Sequence, residues 1–151
     1  MRQLYNLFHR KEDTMEHYTH KVNYYETDRM GITHHSNYIR WMEEARIDFL
    51  EQLGWGYDKI EAMGIISPVT AVDCRYKNTT TFADVVDIEV WVAEFRGVKL
   101  KIGYLMTKSD GTPVCEAVSE HCFLNSEGKI ISLKRTYPRI YESLCQYLRE
   151  E

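Results

Sequence analysis

Residues 24 to 41 read YYETDRMGITHHSNYIRW and place an acid, a glycine and two histidines, Asp28, Gly31, His34 and His35, directly ahead of a patterned segment. Asp28 is ionised at neutral pH and is therefore equipped as a nucleophile or a general base. Ser36 and Asn37 are helix-capping residue types, so the polar run reads as a loop feeding a helix N-terminus. Unpaired backbone N–H groups and the positive end of the helix dipole gather there, beside His35, and can polarise a carbonyl oxygen. The same residues also have ordinary structural uses: an Asp that caps its loop, a Gly that makes a turn, a His that steadies the surface.

The elements that must hold this loop are legible in the hydrophobic periods around it. A strand at roughly residues 19 to 25 leads in. Tyr38, Ile39, Trp41, Met42, Ala45, Phe49, Leu50 and Leu53 recur at helical spacing over a wide apolar arc, and Gly54 closes the run. A shorter helix near Tyr57 to Met63 ends at Gly64, after which the period becomes two. Ile65 to Tyr76 reads as a strand with Pro68 near its start. Val86, Ile88, Val90 and Val92 alternate with Asp87, Glu89 and Trp91, which gives a strand with one buried face. Arg96-Gly97 turns the chain into Val98 to Thr107, Ser109-Asp110-Gly111 signals a hairpin, and Thr112 to Leu124 returns. A turn at Asn125 to Gly128 leads toward Lys129 to Leu133, and a helix follows Pro138 with Ile140, Leu144 and Leu148 at helical spacing. The order is α+β: one long helix and an antiparallel meander that can curl around it. One helix cannot cover both faces of strands this long, so pairing with a second copy is expected, as a homodimer or homotetramer.

Composition narrows the function classes. At 151 residues and 44% hydrophobic content the chain is long enough for a real core. A net charge of −4 argues against nucleic acid as the main partner. Cys74, Cys115, Cys122 and Cys145 form no CxxC pair and no dense framework, which points to reduced, packed thiols in a cytoplasmic protein. No apolar run approaches the roughly 18 residues of a membrane span, and the opening MRQLYNLFHRKEDT lacks a secretory core. Residues 1–15 read as an N-terminal extension, loose or as a short amphipathic helix over Leu4, Tyr5, Leu7 and Phe8. Residues 16–135 read as the main domain and 136–151 as a C-terminal helix.

The stretch Asp28-x-x-Gly31-x-x-x-His35-x-Asn37-Tyr38, followed by Glu43-x-Ala45-Arg46, resembles the signature of the hotdog-fold acyl-CoA thioesterases related to 4-hydroxybenzoyl-CoA thioesterase. The resemblance covers most of the chain. It implies a curled antiparallel sheet wrapped around one long central helix, and a hydrolase that releases a carboxylic acid and CoA without a cofactor or metal. It points to Asp28 as the catalytic carboxylate, by direct attack or by deprotonating water, and to His35 as the position that approaches the thioester carbonyl. A thiol leaving group with a pKa of about 8 to 10 leaves without strong acid help, so an acid-base residue and an oxyanion site can suffice. Tyr24, Tyr25, Gly31 and Asn37 become candidate substrate contacts, and Arg75 and Lys77, with Lys99 and Arg135, candidate phosphate contacts. Asn37 and Tyr38 also serve to start and pack the helix, and Glu43 and Arg46 stand one turn apart as a potential ion pair.

Two features depart from the family pattern. Tyr25-Glu26-Thr27-Asp28 is one acid shorter than in many relatives, and Tyr76-Lys77-Asn78-Thr79-Thr80 lacks the usual proline. The carrier is CoA or an acyl carrier protein. A hydratase on the same fold would need a Pro-Gly element that this sequence does not contain, and a non-catalytic acyl-thioester-binding module would have no need of Asp28 and His35. Metal binding by His34 and His35 lacks a third nearby ligand.

Overall fold

Burial in the longest strand follows the predicted alternation: Val86, Ile88, Val90 and Val92 are buried while Asp87, Glu89 and Trp91 are half-buried on the opposite face. In the computed structural model, which describes residues 15–149, this strand is β3 (Val85–Phe95), and it lies inside a five-stranded antiparallel sheet. The other strands are β1 (Tyr18–Lys21), β2 (Val69–Tyr76), β4 (Leu100–Lys108) and β5 (Pro113–His121), in the order β1-β3-β4-β5-β2. The helices are α1 (Ser36–Gln52), α2 (Tyr57–Ala62), α3 (Leu133–Thr136) and α4 (Pro138–Cys145). The expectation for residues 1–15 falls almost entirely outside the described residues.

Helix α1 supplies Trp41, Met42, Ala45 and Phe49 to the core, each at most 1% exposed, where they join Ile88, Val92, Ile102, Met106 and Cys115 from the sheet. Burying a side chain such as Phe49 contributes about 1.5–3 kcal/mol, so this one stripe accounts for much of the attraction between helix and sheet. The curled sheet around a central helix is the expected hotdog architecture.

Several boundaries differ from the sequence reading for local reasons. The first strand stops at Lys21, and Tyr24–Glu26 form a 3-10 turn, because the Asn23 N–H donates to Glu26 Oε1 at 2.7 Å and the Glu26 N–H to the Asn23 carbonyl at 3.0 Å. Strand β2 begins at Val69 rather than Ile65; Ile66 makes only an isolated bridge to Leu124, with Pro68, which lacks an N–H, in between. β5 ends at His121, and the chain beyond it turns through Asn125, whose Oδ1 accepts from Glu127 and Lys129 N–H groups.

The two sheet edges are treated differently. Beyond the short β1, the last described residues extend that edge: Val92 N–H donates to the Tyr147 carbonyl at 3.0 Å and Arg149 N–H to the Val92 carbonyl at 2.9 Å. Among the described residues β2 pairs only with β5, and Val69, Val72 and Tyr76 stand exposed along it. On the sheet's outer face Gly103 lies beneath the Trp91 ring, which occupies the space a Cβ would need.

Candidate active site

The Asp28 loop is a small closed structure. Asp28 N–H donates to the Ile32 carbonyl at 2.8 Å, Gly31 N–H returns to the Asp28 carbonyl at 3.0 Å, and Thr27 bridges Thr33. Gly31 takes φ +79°, with nothing within 4 Å of where a Cβ would stand, so handedness and not space calls for glycine. One carboxylate oxygen of Asp28, Oδ1, accepts the Met30 N–H at 2.8 Å in an Asx turn. The loop-capping use of Asp28 is thus present, and Oδ2 takes no hydrogen bond from the described residues. The far side of the loop is tied to the segment before β3: Thr33 N–H donates to the Thr80 carbonyl at 2.8 Å, their hydroxyls meet at 2.6 Å, and Thr81 Oγ1 donates to the Gly31 carbonyl at 2.7 Å.

At the base of the loop sits Glu26, only 4% exposed. Its Oε1 accepts from His20 Nε2 at 2.7 Å, Asn23 N at 2.7 Å and Asn23 Nδ2 at 3.1 Å; its Oε2 accepts from Trp41 Nε1 at 2.6 Å. Its carbonyl accepts the His34 N–H at 2.8 Å and Asn37 Nδ2 at 3.0 Å. Burial alone would raise this carboxyl, yet the bonds from Asn23, His20 and Trp41 and the charge on His20 hold it below the usual carboxylate range. The other His20 nitrogen faces Glu44 Oε2 at 3.1 Å, which also accepts from Tyr18 OH at 3.0 Å. Burial and the Glu44 carboxylate push Tyr18 up to about 12, so it remains a donor.

His35 is the N-cap of α1, with helical φ −55° and ψ −27°, and it is exposed. Its carbonyl accepts from Tyr38 N at 3.3 Å and from Tyr76 OH at 3.4 Å. Its own N–H has no acceptor among the described residues and stands at the start of a 17-residue helix. The expected side-chain caps are absent: the Ser36 hydroxyl pairs with His34 Nδ1 at 2.8 Å, and Asn37 turns its amide back to the Glu26 and His34 carbonyls. Asn37 is 6% exposed and braces the loop. The ring of His35 lies 4.3 Å from that of His34 and 6.3 Å from Tyr76.

β2 closes this side with Cys74 and Tyr76. Tyr76 packs on buried Tyr38 at 5.3 Å, and Cys74 Sγ lies 3.4 Å from Met42 Sδ. Hydrogen bonds from Cys115 and Tyr76 hold the Cys74 thiol below its ordinary value against the effect of burial.

The other predicted residues lie elsewhere or have different partners. Tyr24 and Tyr25 are 76% and 80% exposed on the 3-10 turn, with Tyr24 edge-on to Phe82 at 5.6 Å. Arg75 faces the outer side of the sheet, 3.6 Å from Asp73, in a cleft of about 360 Å³ that Trp91, Glu116 and Val118 also line. Lys77 pairs with Glu116 at 3.8 Å and Lys99 with Glu120 at 3.3 Å. No hydrogen bond links Asp28 to His35; they share the loop and its Glu26 base. The expected Glu43–Arg46 ion pair does not form, because Arg46 points inward, 7% exposed, and donates to Tyr57 OH at 3.0 Å and Tyr104 OH at 3.1 Å. Glu26, His20, Trp41 and Thr80 were not among the predicted site residues. Among the described residues, no group of three or more His, Cys, Asp or Glu is placed to hold a metal ion.

The model of the thioesterase-like superfamily matches residues 22–144. A Bacillus subtilis protein, YneP, provisionally named an acyl-CoA thioesterase, is 32% identical over 119 residues, covering 78% of this chain and 86% of the relative. An Aquifex aeolicus protein provisionally named an esterase is 36% identical over 118 residues, 78% of this chain and 91% of its own length. The solved structure of a DHNA-CoA thioesterase from Staphylococcus aureus superposes with a TM-score of 0.82 at 30% identity, covering 87% of this chain and 89% of that one.

Proposed function

The chain belongs to the thioesterase-like superfamily, and from that premise we propose that it hydrolyses acyl-CoA thioesters between the Asp28 loop and the N-terminus of α1. The unengaged His35 N–H carries this reading. A backbone donor at the positive end of a long helix is preorganised for the oxyanion that forms when the thioester carbonyl is attacked. Asp28 supplies the other half. As a general base it takes a proton from water, whose oxygen adds to the carbonyl; the C–S bond then breaks, and CoA leaves as a thiolate that is protonated in solvent. As a nucleophile it forms a mixed anhydride that water opens, giving the same acid and CoA. The His35 ring, exposed beside Tyr76, lies where it can orient the thioester.

A second copy completes the assembly in this reading. The β2 edge exposes Val69, Val72 and Tyr76 beside the site, and pairing there covers apolar surface that a monomer leaves in water. Light scattering at micromolar concentration should show no dominant monomer. No helix among the described residues is long and apolar enough to cross a membrane, and the cytoplasm is where the CoA thioesters would be met. The S. aureus neighbour is named for DHNA-CoA, so aromatic acyl-CoAs belong in the substrate screen beside aliphatic acyl-CoAs and acyl carrier protein thioesters.

The decisive experiment is Asp28→Asn, which keeps shape and removes the charge. Turnover on the best acyl-CoA should fall by at least about 100-fold, with oligomeric state and thermal unfolding unchanged. Near wild-type hydrolysis by the folded variant would mean that the Asx turn is the whole role of Asp28.

A further inference from the structure

We propose that the buried Glu26 carboxylate is a positioning residue for thioester hydrolysis, holding the Asp28 loop in register with the N-terminus of α1. The inference rests on the reading of Asp28 as the reacting carboxylate. Its observation is the convergence on one side chain: donors from β1 (His20), the 3-10 turn (Asn23) and α1 (Trp41) all end on the Glu26 oxygens. The Glu26 carbonyl meanwhile takes the N–H of His34, the residue before the proposed oxyanion donor, and the amide of Asn37. Both halves of the site are therefore referenced to Glu26. Asp28 follows two residues later, about 7 Å of extended chain at most, and a displacement of Glu26 is passed on with little slack.

A purely structural need would be met differently. Burying a carboxylate costs several kcal/mol before its bonds are counted, and a hydrocarbon of similar volume fills such a space without that cost. A carboxylate offers about four acceptor positions in one plane; here three donors converge on Oε1 and one on Oε2, four donors from three elements on a single group. Hydrocarbon packing tolerates sliding; this arrangement does not. His20 and Glu44 extend the fixture outward, since the second His20 nitrogen meets Glu44, whose side chain is half exposed. The Trp41 ring stacks near His20 at 4.6 Å and closes the cluster from the core side.

Glu26→Gln tests the idea on the full-length protein. It preserves size and leaves an acceptor for His20 and Asn23, but turns an NH₂ toward the Trp41 N–H. Expected is a drop in kcat of about tenfold or more with KM within about twofold, as a sub-ångström misplacement of the reacting group requires. Trp41→Phe alone should lower kcat about threefold. The Glu26→Gln/Trp41→Phe double variant should be no slower than Glu26→Gln, because the opposed donors have been removed. In an Asp28→Asn background, Glu26→Gln should change the residual rate by less than about twofold, since the reacting carboxylate whose register it sets is gone and the His34 N–H is held by the Glu26 carbonyl, which the substitution keeps. Wild-type kcat in folded Glu26→Gln, or losses that multiply in the double variants, overturns the proposal. If Glu26→Gln fails to fold, Trp41→Phe with and without Asp28→Asn decides it by the same non-additivity. An inactive Asp28→Asn beside a fully active Glu26→Gln rejects only the positioning role; an active Asp28→Asn rejects the catalytic reading beneath it.

Discussion

Two buried charges sit at α1, Glu26 packed beside its early turns and Arg46 within the helix further along, and they are accommodated in different ways. Glu26 meets a histidine, an indole and an amide, with a second carboxylate behind the histidine. Arg46 has no carboxylate within salt-bridge distance among the described residues; its donors meet Tyr57 and Tyr104, and Tyr104 continues through Ser119 to His121 at 2.7 Å for each step. The first cluster binds three elements beside the site. The second spans helix, sheet and α2 in the core and touches none of the site residues. Glu26 has in His20 a partner that can carry the opposite charge, whereas each Arg46 bond runs from the cation to a neutral hydroxyl, so only the first cluster can add an ion pair to its charge-assisted hydrogen bonds.

The widest separation between the clusters should come from apolar replacement. Glu26→Leu strands the donors of His20, Asn23 and Trp41 inside the protein and should cost about 3–5 kcal/mol in urea unfolding. A loss below about 1 kcal/mol would break the contrast.

A second difference is in acid. Burial and the Arg46 charge lower His121 to about 4. Between the ordinary histidine value and that point the unfolded chain takes up a proton that the native chain refuses, so stability falls as pH drops from about 6.5 to 4, by an order of 3 kcal/mol. The Glu26 carboxyl is lowered as well, but from the carboxylate range, so its contribution is present above that range and is lost only as pH falls below it. Unfolding free energies of wild type and His121→Gln across this window should converge toward pH 4; parallel curves would remove His121 as the source.

The smallest expected effect is Arg46→Met, within about 1 kcal/mol of wild type, because the lost bonds are offset by the removed desolvation cost and Tyr104 keeps Ser119. A penalty like that of Glu26→Leu would show that the hydroxyls hold Arg46 as firmly as charge holds Glu26.

Residues whose position follows from one periodic element were legible in the sequence, and those fixed by several elements were not. The apolar stripe of α1, the alternation of β3 and the turns at Gly97, Gly111 and Gly128, all with positive φ, follow from local rules. Arg46 was misassigned because charge outweighed spacing: it lies four residues from both Met42 and Leu50, in the buried stripe. Asn37 has the composition of a cap, but the Glu26 and His34 carbonyls recruit it backward, a preference set by the loop fold. Glu26 had a faint signal, an acid two residues before Asp28 with no room in the alternation of a strand. Thr80 had none, since its contact with Thr33 crosses 47 residues.

At Gly31 the backbone has the sign of φ that suits the mirror-image amino acids, and the space beside it is open. Position 31 therefore discriminates by chirality and not by bulk. An L-alanine would have room and the wrong hand, whereas a D-alanine introduced by chemical ligation would have both room and hand, and would narrow the unfolded ensemble besides. The tip of the Asp28 loop can thus carry a D-configured spectroscopic label next to the proposed catalytic carboxylate without bending the chain that presents it.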